Sequence, residues 1–216
     1  MTHRSLVPAL GVHWLTRFYD PLIALTLRER TLKGRLLDQA RLAPGQDVLD
    51  VGCGTGTLAI LAKSRQQGAR VVGLDGDPHI LAIARRKVAE ARVDVELREG
   101  LANSEEVFAP ESFDRIVTSF VLHHLTSEEK RLACSAMRRW LRPRGELHAL
   151  DFGPQSHSLL GLVPSAFARI HGGERMRDNL DGRLPSLLLE TGFANAEESG
   201  RALTPFGAVS FYRAAA

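Results

Sequence analysis

The sequence predicts a single α/β domain, built on a seven-stranded, mostly parallel sheet with helices on both faces and an antiparallel hairpin at the end of the chain. Three observations predict it. Short apolar segments of strand length alternate with helical segments over residues 45–152, as in sheets whose parallel strands are joined by helices. A glycine-rich loop joins the first of these strands to a helix. The last two apolar segments are separated by a turn too short to contain a helix, so they are expected to pair antiparallel.

Local signals place each element in order. An N-terminal helical region is predicted over 10–42, and Pro21 suits the first turn of a second helix within it. Strands are predicted at 47–51, 70–74, 93–98, 113–119, 145–151, 194–203 and 208–213. Helices are predicted between or after them at 57–65, 78–91, 127–141 and 184–191. Pro78 suits a helix start, the Thr126 hydroxyl can cap the third of these helices, and Gly192 fits the position just after the last.

Four parts of one domain follow from this pattern. Residues 1–44 are expected to form a helical arm or lid, 45–152 a ligand-binding core, 153–183 an inserted segment on the substrate side, and 184–216 a helix with the hairpin. The chain has 216 residues, of which 44% are hydrophobic and 25% charged. This is the composition of a globular protein that buries a core without disulfides or metals, and it excludes a disordered chain or a coiled coil.

Cysteine content and hydropathy indicate a cytoplasmic protein. Cys53 and Cys134 are the only cysteines, and they form no C-x-x-C pair. Neither a zinc site nor a redox motif is therefore predicted, and no bound metal is expected. No apolar run reaches the roughly 18 residues that a membrane helix requires, and the first residues do not resemble a signal peptide.

The net charge of +3 is unevenly distributed along the chain. Residues 1–46 contain seven Lys or Arg against three Asp or Glu, so the basic excess lies in the N-terminal arm. Such an arm is either a solvated helix face or a surface that attracts an anionic substrate or membrane. Peripheral membrane contact therefore stays as an alternative, and the expected oligomeric state is a monomer or a homodimer.

The strongest functional signal is Asp-x-Gly-x-Gly-x-Gly at 50–56, between the first strand and its helix. Glycines let a ligand approach the backbone, and the free amides of a helix start favour polar or anionic ligand atoms. A dinucleotide fingerprint requires G-x-G-x-x-G, and its third glycine would fall on Thr57, so that pattern fails. Asp75 ends the second strand and can accept both hydroxyls of a ribose, which suits either kind of cofactor.

Five segments in order carry a family resemblance: LDVGCGTG at 49–56, VVGLDGDPHIL at 71–81, SFDRIVTSFVLHHL at 112–125, LRPRGELHALDFG at 141–153 and LLLETGFANAEESGRALTPFGAVSFYRA at 187–214. In them the sequence resembles the class I S-adenosylmethionine-dependent methyltransferases, which have a Rossmann-like fold, and especially their UbiE-like (type 11) branch. The resemblance covers about residues 45–213. It implies S-adenosylmethionine as cofactor and S-adenosylhomocysteine as product.

The resemblance also implies a role for each matching position. The methionine part of the cofactor would lie along the glycine loop, the ribose at the end of the second strand, and the adenine beside the end of the third. The implied cofactor-binding residues are Asp50, Gly52, Cys53, Gly54 and Gly56 in the loop, Asp75 at the ribose, Gly76 and Asp77 beside the adenosine, Gly100, Leu101 and Ala102 along the adenine, and Ser119 and Phe120 on the cofactor's other side.

Two positions depart from the family pattern. Leu101 stands where many relatives carry an Asp that accepts from the adenine amino group, so backbone groups or another side chain such as Asn103 must take that contact. The usual Pro-Gly-Gly turn reads Pro143-Arg144-Gly145. A type II turn there would place Arg144 at positive φ at a cost of about 1–2 kcal/mol, whereas a type I turn would avoid it.

Methyl transfer from a sulfonium is an in-line displacement in which the sulfur leaves neutral, so the protein mainly aligns the reactants. A base is needed only where the acceptor keeps its proton at working pH. The candidate catalytic residues are His123 and His124 after the fourth strand, Asp151 at the end of the fifth, and Tyr19 in the arm. Their structural alternatives are a packing or capping histidine, a loop cap and an aromatic anchor. At most one of the two histidines is expected to face the substrate.

The sequence thus predicts an enzyme that transfers a methyl group from S-adenosylmethionine to a small-molecule or lipid-like acceptor. Nucleic-acid substrates are disfavoured, because the fourth strand is not followed by Asn/Asp-Pro-Pro-aromatic and no basic stripe with interleaved aromatics occurs. Two other function classes stay open. One is a non-catalytic cofactor-binding or partner protein, and the other, with less support, is an NAD-dependent oxidoreductase.

Overall fold

The computed structural model describes residues 29–154, 173–205 and 207–216. Tyr19, Pro21 and the rest of the predicted arm before residue 29 lie outside these ranges, as does most of the predicted insertion. The last part of the arm is described, and Glu29–Ala40 forms the predicted helix, here α1.

The described residues form one seven-stranded sheet, in the order β3-β2-β1-β4-β5-β7-β6. The strands are β1 Asp47–Val51, β2 Arg70–Asp75, β3 Val95–Glu99, β4 Phe113–Ser119, β5 Leu141–Phe152, β6 Asn195–Thr204 and β7 Gly207–Ala215. The first five strands are parallel to one another, and β7 is antiparallel to both β5 and β6. The predicted fold class, with its terminal antiparallel hairpin, is confirmed.

Helices cover both faces of this sheet. After α1 they are α2 Thr57–Arg65, α3 Pro78–Ala91, α4 Ser127–Trp140, α5 Arg177–Leu180 and α6 Leu184–Glu190, with short 3-10 turns at Glu105–Val107 and Leu122–His124. As predicted, Thr126 caps α4: its hydroxyl accepts from the Glu129 amide at 3.2 Å, and the Glu129 carboxylate accepts from the Thr126 amide at 2.9 Å. Within the described ranges, no helix is long and apolar enough to cross a membrane.

Two apolar clusters hold the helices on the sheet. On one face, Leu49 and Ile116 of the sheet pack with Trp140 at the end of α4 and with apolar side chains of α6. On the other face, Val48 packs with Leu36 of α1 and with α2. All of these named side chains are almost completely buried. Burial of each large side chain contributes about 1.5–3 kcal/mol, so the core fixes the strand ends on which the site is built.

The fifth strand differs most from its prediction. It begins at Leu141, directly after α4, rather than at Gly145. The strand passes through an irregular step opposite β4, between Phe113 and Arg115, and Arg144 takes φ +67°. Of the two predicted turn alternatives, the one with positive φ at Arg144 is therefore observed. The Arg142 guanidinium donates to Asp114 at 2.6 Å and to Asp47 at 2.7 Å, which ties this start of the strand to β1 and β4.

Candidate functional site

The predicted site residues meet at the carboxyl ends of the parallel strands. In the sheet order, β1 has β2 on one side and β4 on the other, so the connections leave β1 in opposite directions. Open α/β sheets bind ligands in the crevice that forms at such a point. The loops after β1, β2, β4 and β5 all reach this edge.

The loop after β1 leaves its backbone open to a ligand. Gly52 has φ +67°, and a Cβ there would lie 2.3 Å from a methyl group of Val121, so no larger residue fits between β1 and the loop after β4. Gly54 has φ +54°, and a Cβ there would meet nothing within 4 Å. Cys53 lies between them with its side chain buried and its amide donating to the Leu74 carbonyl at 2.9 Å.

Asp75 connects this loop to the loop after β2. One of its carboxylate oxygens accepts from the Gly54 amide at 2.8 Å, and the other accepts from the Asp77 amide at 3.0 Å. Asp77 in turn caps α3, since its carboxylate accepts from the His79 amide at 2.8 Å. Each carboxylate oxygen keeps a further lone pair for a ligand hydroxyl. The structure thus brings the predicted methionine and ribose residues side by side.

Asp50 is a buried carboxylate without a partner. Its side chain is 1% exposed, and neither of its oxygens has a hydrogen-bond partner among the described residues. Burial raises the pKa of Asp50 to about 7 and the Asp75 charge adds to the shift, while the Lys33 ammonium opposes it. A cation placed next to such a buried carboxylate stabilises its ionised form. Lys33 itself lies on the buried side of α1 and is paired with Glu29.

The loop after β3 lies beside the loop after β2, as predicted. The Gly100 amide donates to the Asp75 carbonyl at 3.0 Å. Leu101 reaches back so far that a Cβ on Gly76 would lie 2.7 Å from one of its methyl groups. Leu101 is nevertheless 49% exposed, and it is one of the few exposed large apolar side chains among the described residues. Ala102 and Asn103 follow it, half-buried, in the same loop.

Ser119 ends β4, and Phe120 directly follows it. Phe120 takes φ +58°, which is rare for a bulky residue, and its amide donates to the Leu150 carbonyl of β5 at 2.8 Å. Its ring lies 5.7 Å from the ring of Phe152. The strained backbone therefore turns an aromatic side chain to the edge of the site, where Phe152 supports it.

His123 and Asp151 form a close pair at this edge. His123 Nδ1 lies 2.7 Å from Asp151 Oδ1, and the His123 side chain is 12% exposed. Burial alone would raise the pKa of Asp151, but the charge of His123, its hydrogen bond and the Phe152 amide outweigh burial and hold that pKa below its usual value. Since the carboxylate is ionised, Nδ1 carries the proton and donates it to Asp151. The Nε2 atom then keeps a lone pair, as a general base requires.

Asp151 also fixes the turn that carries this histidine. Its second oxygen, Oδ2, accepts from the Leu122 amide at 2.8 Å and from the His123 amide at 3.4 Å. The Phe152 ring meets the His123 ring edge-on, with centroids 4.9 Å apart. The carboxylate is therefore more than the loop cap proposed as its structural alternative, because it orients both the backbone and the ring of His123.

His124 lies differently from its neighbour. The two rings are 3.9 Å apart and tilted by 41°, and the His124 side chain is exposed on its outer side. Desolvation of the covered part of the ring and the charge of His123 lower the pKa of His124 to about 4. A neutral imidazole with so low a pKa is a weak base, so His123 is the better candidate of the two.

Sequence reasoning did not find two residues that shape the site. Phe152 contacts both Phe120 and His123. Its position directly after Asp151, at the end of a strand, could have indicated from the sequence that it lies near the site. Lys33 lies on the buried side of α1 among leucines. A single charged residue on an otherwise apolar helix face could have indicated from the sequence that Lys33 has a special role. Tyr19 lies outside the described residues. Among those described, no group of three His, Cys, Asp or Glu could hold a metal ion.

Comparisons with known proteins agree with this geometry. A family model described as a methyltransferase domain matches residues 48–145. A demethylmenaquinone methyltransferase of Thermus thermophilus is 39% identical over 130 residues, which cover 60% of this chain and 57% of the relative. An uncharacterized methyltransferase of Synechocystis is 32% identical over 157 residues, which cover 73% of this chain and 71% of the relative. The chain thus spans little more than half the length of the Thermus relative.

The fold itself recurs in solved structures. An S-adenosylmethionine-dependent methyltransferase from Aquifex aeolicus matches with a TM-score of 0.68 at 16% identity, over 94% of this chain and 97% of that one. The sheet order, the open glycine loop, the acidic residue at the end of β2 and the sequence matches all agree. The chain belongs to the class I S-adenosylmethionine-dependent methyltransferases, in their UbiE-like branch.

Proposed function

We propose that this chain transfers the methyl group of S-adenosylmethionine to a hydroxyl oxygen of a small aromatic molecule, with His123 as general base. The observation that carries the proposal is the 2.7 Å contact between His123 Nδ1 and Asp151 Oδ1 at the open edge of the sheet. An alkyl transfer that needed no proton acceptor would not require an imidazole held in one tautomer by a buried carboxylate.

The residues after β1 and β2 fit S-adenosylmethionine. The unpartnered carboxylate of Asp50 suits the ammonium of the methionine part, and the open space in front of Gly54 suits its close approach to the backbone. Asp75 keeps lone pairs for the ribose hydroxyls, and the loop at Leu101 would lie along the adenine. When bound, the sulfonium supplies an activated methyl group whose sulfur departs as a neutral thioether.

The protein's own part in the reaction is to remove a proton and to align the acceptor. His123 Nε2 accepts the hydroxyl proton while the oxygen forms its bond to the methyl carbon. The resulting imidazolium is stabilised by Asp151, which stays ionised because its pKa is held low. General-base catalysis of this kind contributes about 10²–10⁴-fold. The proton therefore ends on His123, and solvent removes it after product release.

The wall around His123 supports an aromatic acceptor. The Phe152 and His124 rings lie against the base, and Phe120 packs on Phe152. Flat ligand rings pack well against such side chains. The names of two relatives point the same way: the demethylmenaquinone methyltransferase of Thermus thermophilus, and a ubiquinone biosynthesis O-methyltransferase of Pseudomonas entomophila that is 33% identical over 138 residues. A lipid-like tail on the ring would make peripheral membrane contact useful, as the basic arm suggests.

The test uses radiolabelled S-adenosylmethionine with a panel of phenols, catechols and hydroquinones. We expect methyl transfer to at least one of them, and a loss of about 10²–10⁴-fold in kcat for His123→Ala. In the same variant, S-adenosylhomocysteine should bind with unchanged affinity by calorimetry, because the hydrogen bonds of His123 go to Asp151 and not to the loops after β1 and β2. Full activity of His123→Ala would contradict the proposed base. Cofactor binding without transfer to any acceptor would favour the non-catalytic alternative.

A further inference from the structure

The last part of the predicted insertion, from residue 173 on, is bound tightly to the first turns of α4. We call the residues that make this contact the polar latch: Arg175 and Asp178 near the end of the insertion, with Ser127 and Lys130 on α4. The Ser127 hydroxyl donates to Asp178 Oδ2 at 2.6 Å, and Lys130 Nζ lies 3.5 Å from the same oxygen. Lys130 and Asp178 are both almost completely buried, so neither charge can be satisfied by solvent.

The latch also fixes the backbone of Arg175. Lys130 Nζ donates to the Arg175 carbonyl, in addition to its contact with Asp178. A lysine that is 0% exposed and shared between a carbonyl and a carboxylate is costly to rearrange, because breaking either contact leaves a buried charge without a partner. The backbone of Arg175 is therefore held in place, although the Arg175 side chain is half exposed.

From this point the Arg175 side chain reaches the turn that carries the proposed base. Its guanidinium donates to the His124 carbonyl at 2.5 Å and lies 3.3 Å from the Glu129 carboxylate of the α4 capping box. The 3-10 turn Leu122–His124 is thus held at two ends. Asp151 binds the amides at its start, and Arg175 binds the carbonyl at its end.

We propose that Arg175 is a positioning residue for His123: it fixes the Leu122–His124 turn so that the imidazole donates Nδ1–H to Asp151 and presents Nε2 to the acceptor. The proposal rests on the proposed function in so far as His123 is the base. Without the Arg175 contact, the His124 end of the turn is held only by the turn's own backbone hydrogen bonds, so its position is less fixed. The ring can then leave Asp151 and sample the tautomer with the proton on Nε2, which cannot accept a proton there.

The test is nitrogen-15 NMR of the histidine side chains in the full chain, with the His123 signals assigned by their loss in His123→Ala. In the wild-type protein we expect the pattern of a pure Nδ1–H tautomer. Arg175→Ala should move both ring nitrogens of His123 toward the values of a tautomer mixture. The matched control is Arg177→Ala, which removes an exposed arginine two residues away and should leave the wild-type pattern.

A second variant keeps the test independent of folding. Arg175→Gln is polar but too short to span to the His124 carbonyl, and it should give the same mixture as Arg175→Ala. Thermal unfolding of all three variants identifies any that do not fold. A folded Arg175→Ala or Arg175→Gln protein whose His123 pattern equals that of Arg177→Ala would overturn the proposal.

Activity separates this proposal from the proposed function. Arg175→Ala should lower kcat about tenfold for weakly acidic phenols, with unchanged affinity for S-adenosylhomocysteine. It should have little effect with 4-nitrophenol at about pH 8, because that acceptor is already ionised and needs no base. An equal loss with both acceptors would overturn the positioning role. If His123→Ala stays active while Arg175→Ala still changes the His123 tautomer, the base assignment fails and the positioning of the ring stands.

Discussion

At the scale of single residues, the site is built from groups that folding leaves in unfavourable states. Asp50 is ionisable, buried and without a hydrogen bond among the described residues, and Phe120 has a backbone conformation that bulky residues avoid. The buried Asp50 carboxylate and the strained Phe120 backbone each lower the stability of the fold. Each is explained by the ligand contact that it makes available. Asp75 is the opposite case, since both of its oxygens already bind backbone amides while keeping room for a ribose.

Replacing Asp50 by Asn should stabilise the free protein at alkaline pH. The pKa of Asp50 is about 7 when folded, against 3.8 for the ordinary side chain. Because the pKa of Asp50 is higher in the folded than in the unfolded state, the folded state is favoured only while Asp50 is protonated. The stability that protonated Asp50 allows is lost as the pH rises from about 4 through 7. At about 1.4 kcal/mol per unit, the ionised group costs the folded state up to about 4 kcal/mol near pH 8.

Thermal unfolding as a function of pH measures this effect. Asp50→Asn should unfold at higher temperature than the wild type near pH 8 and should lose part of the stabilisation that S-adenosylhomocysteine provides. The exposed Asp94 is the control position, and Asp94→Asn should change neither quantity. Equal pH profiles for wild type and Asp50→Asn would show that Asp50 is not held in this strained state.

Replacing Asp75 by Ala should weaken S-adenosylhomocysteine binding by about 1.5–3 kcal/mol, the range for hydrogen bonds to a charged group. The variant also frees the Gly54 and Asp77 amides, so it removes ligand contacts and loosens both loops. Asp75→Asn retains an acceptor oxygen and should lose less affinity than Asp75→Ala. Calorimetry measures both, and unchanged affinity in Asp75→Ala would remove this residue from the ribose site.

At the scale of elements, strand and helix bounds were predicted closely wherever a local signal marks them. The helices at 57–65 and 78–91 and the strand at 113–119 begin and end at the predicted residues, because glycines, prolines and apolar spacing act within a few residues. The start of β5 was predicted four residues late. Pro143 and Arg144 indicate a turn from sequence alone, whereas ion pairs of Arg142 with β1 and β4 extend the strand through them.

The turn at the start of β5 offers a test of backbone strain. Arg144 has φ +67°, a region that glycine occupies without cost. Arg144→Gly should therefore raise the free energy of unfolding by about 0.5–1 kcal/mol, after its greater entropy in the unfolded chain is counted. Arg144→Ala removes the same side chain but keeps the strain, and it is not expected to stabilise. Urea denaturation of both variants measures the difference, and equal stabilities would contradict the strain.

At the scale of the whole molecule, the sheet order brings together residues that are distant in sequence. The pairing of Ser119 with Leu150 in β4 and β5 sets Asp151 beside the turn that carries His123, 28 positions earlier. The sequence predicted both as candidates, but it could not predict their contact, because a pair formed across strands depends on register and side-chain direction. The link from Arg175 to His124 spans 51 positions and has no local signal at all.

The binding site as a whole is tested by ligand-induced stabilisation. A ligand at about 100 times its dissociation constant adds about 2.7 kcal/mol to the unfolding free energy, which for a domain of this size corresponds to a rise of about 5–10 °C. We expect this rise with S-adenosylhomocysteine and none with NAD, because the third glycine of a dinucleotide loop is replaced by Thr57. Scanning fluorimetry over a range of ligand concentrations measures it. A shift with NAD alone would favour the oxidoreductase alternative over the methyltransferase, and no shift with either ligand would mean that the open loop at Gly54 and the unpartnered Asp50 do not form a working cofactor site.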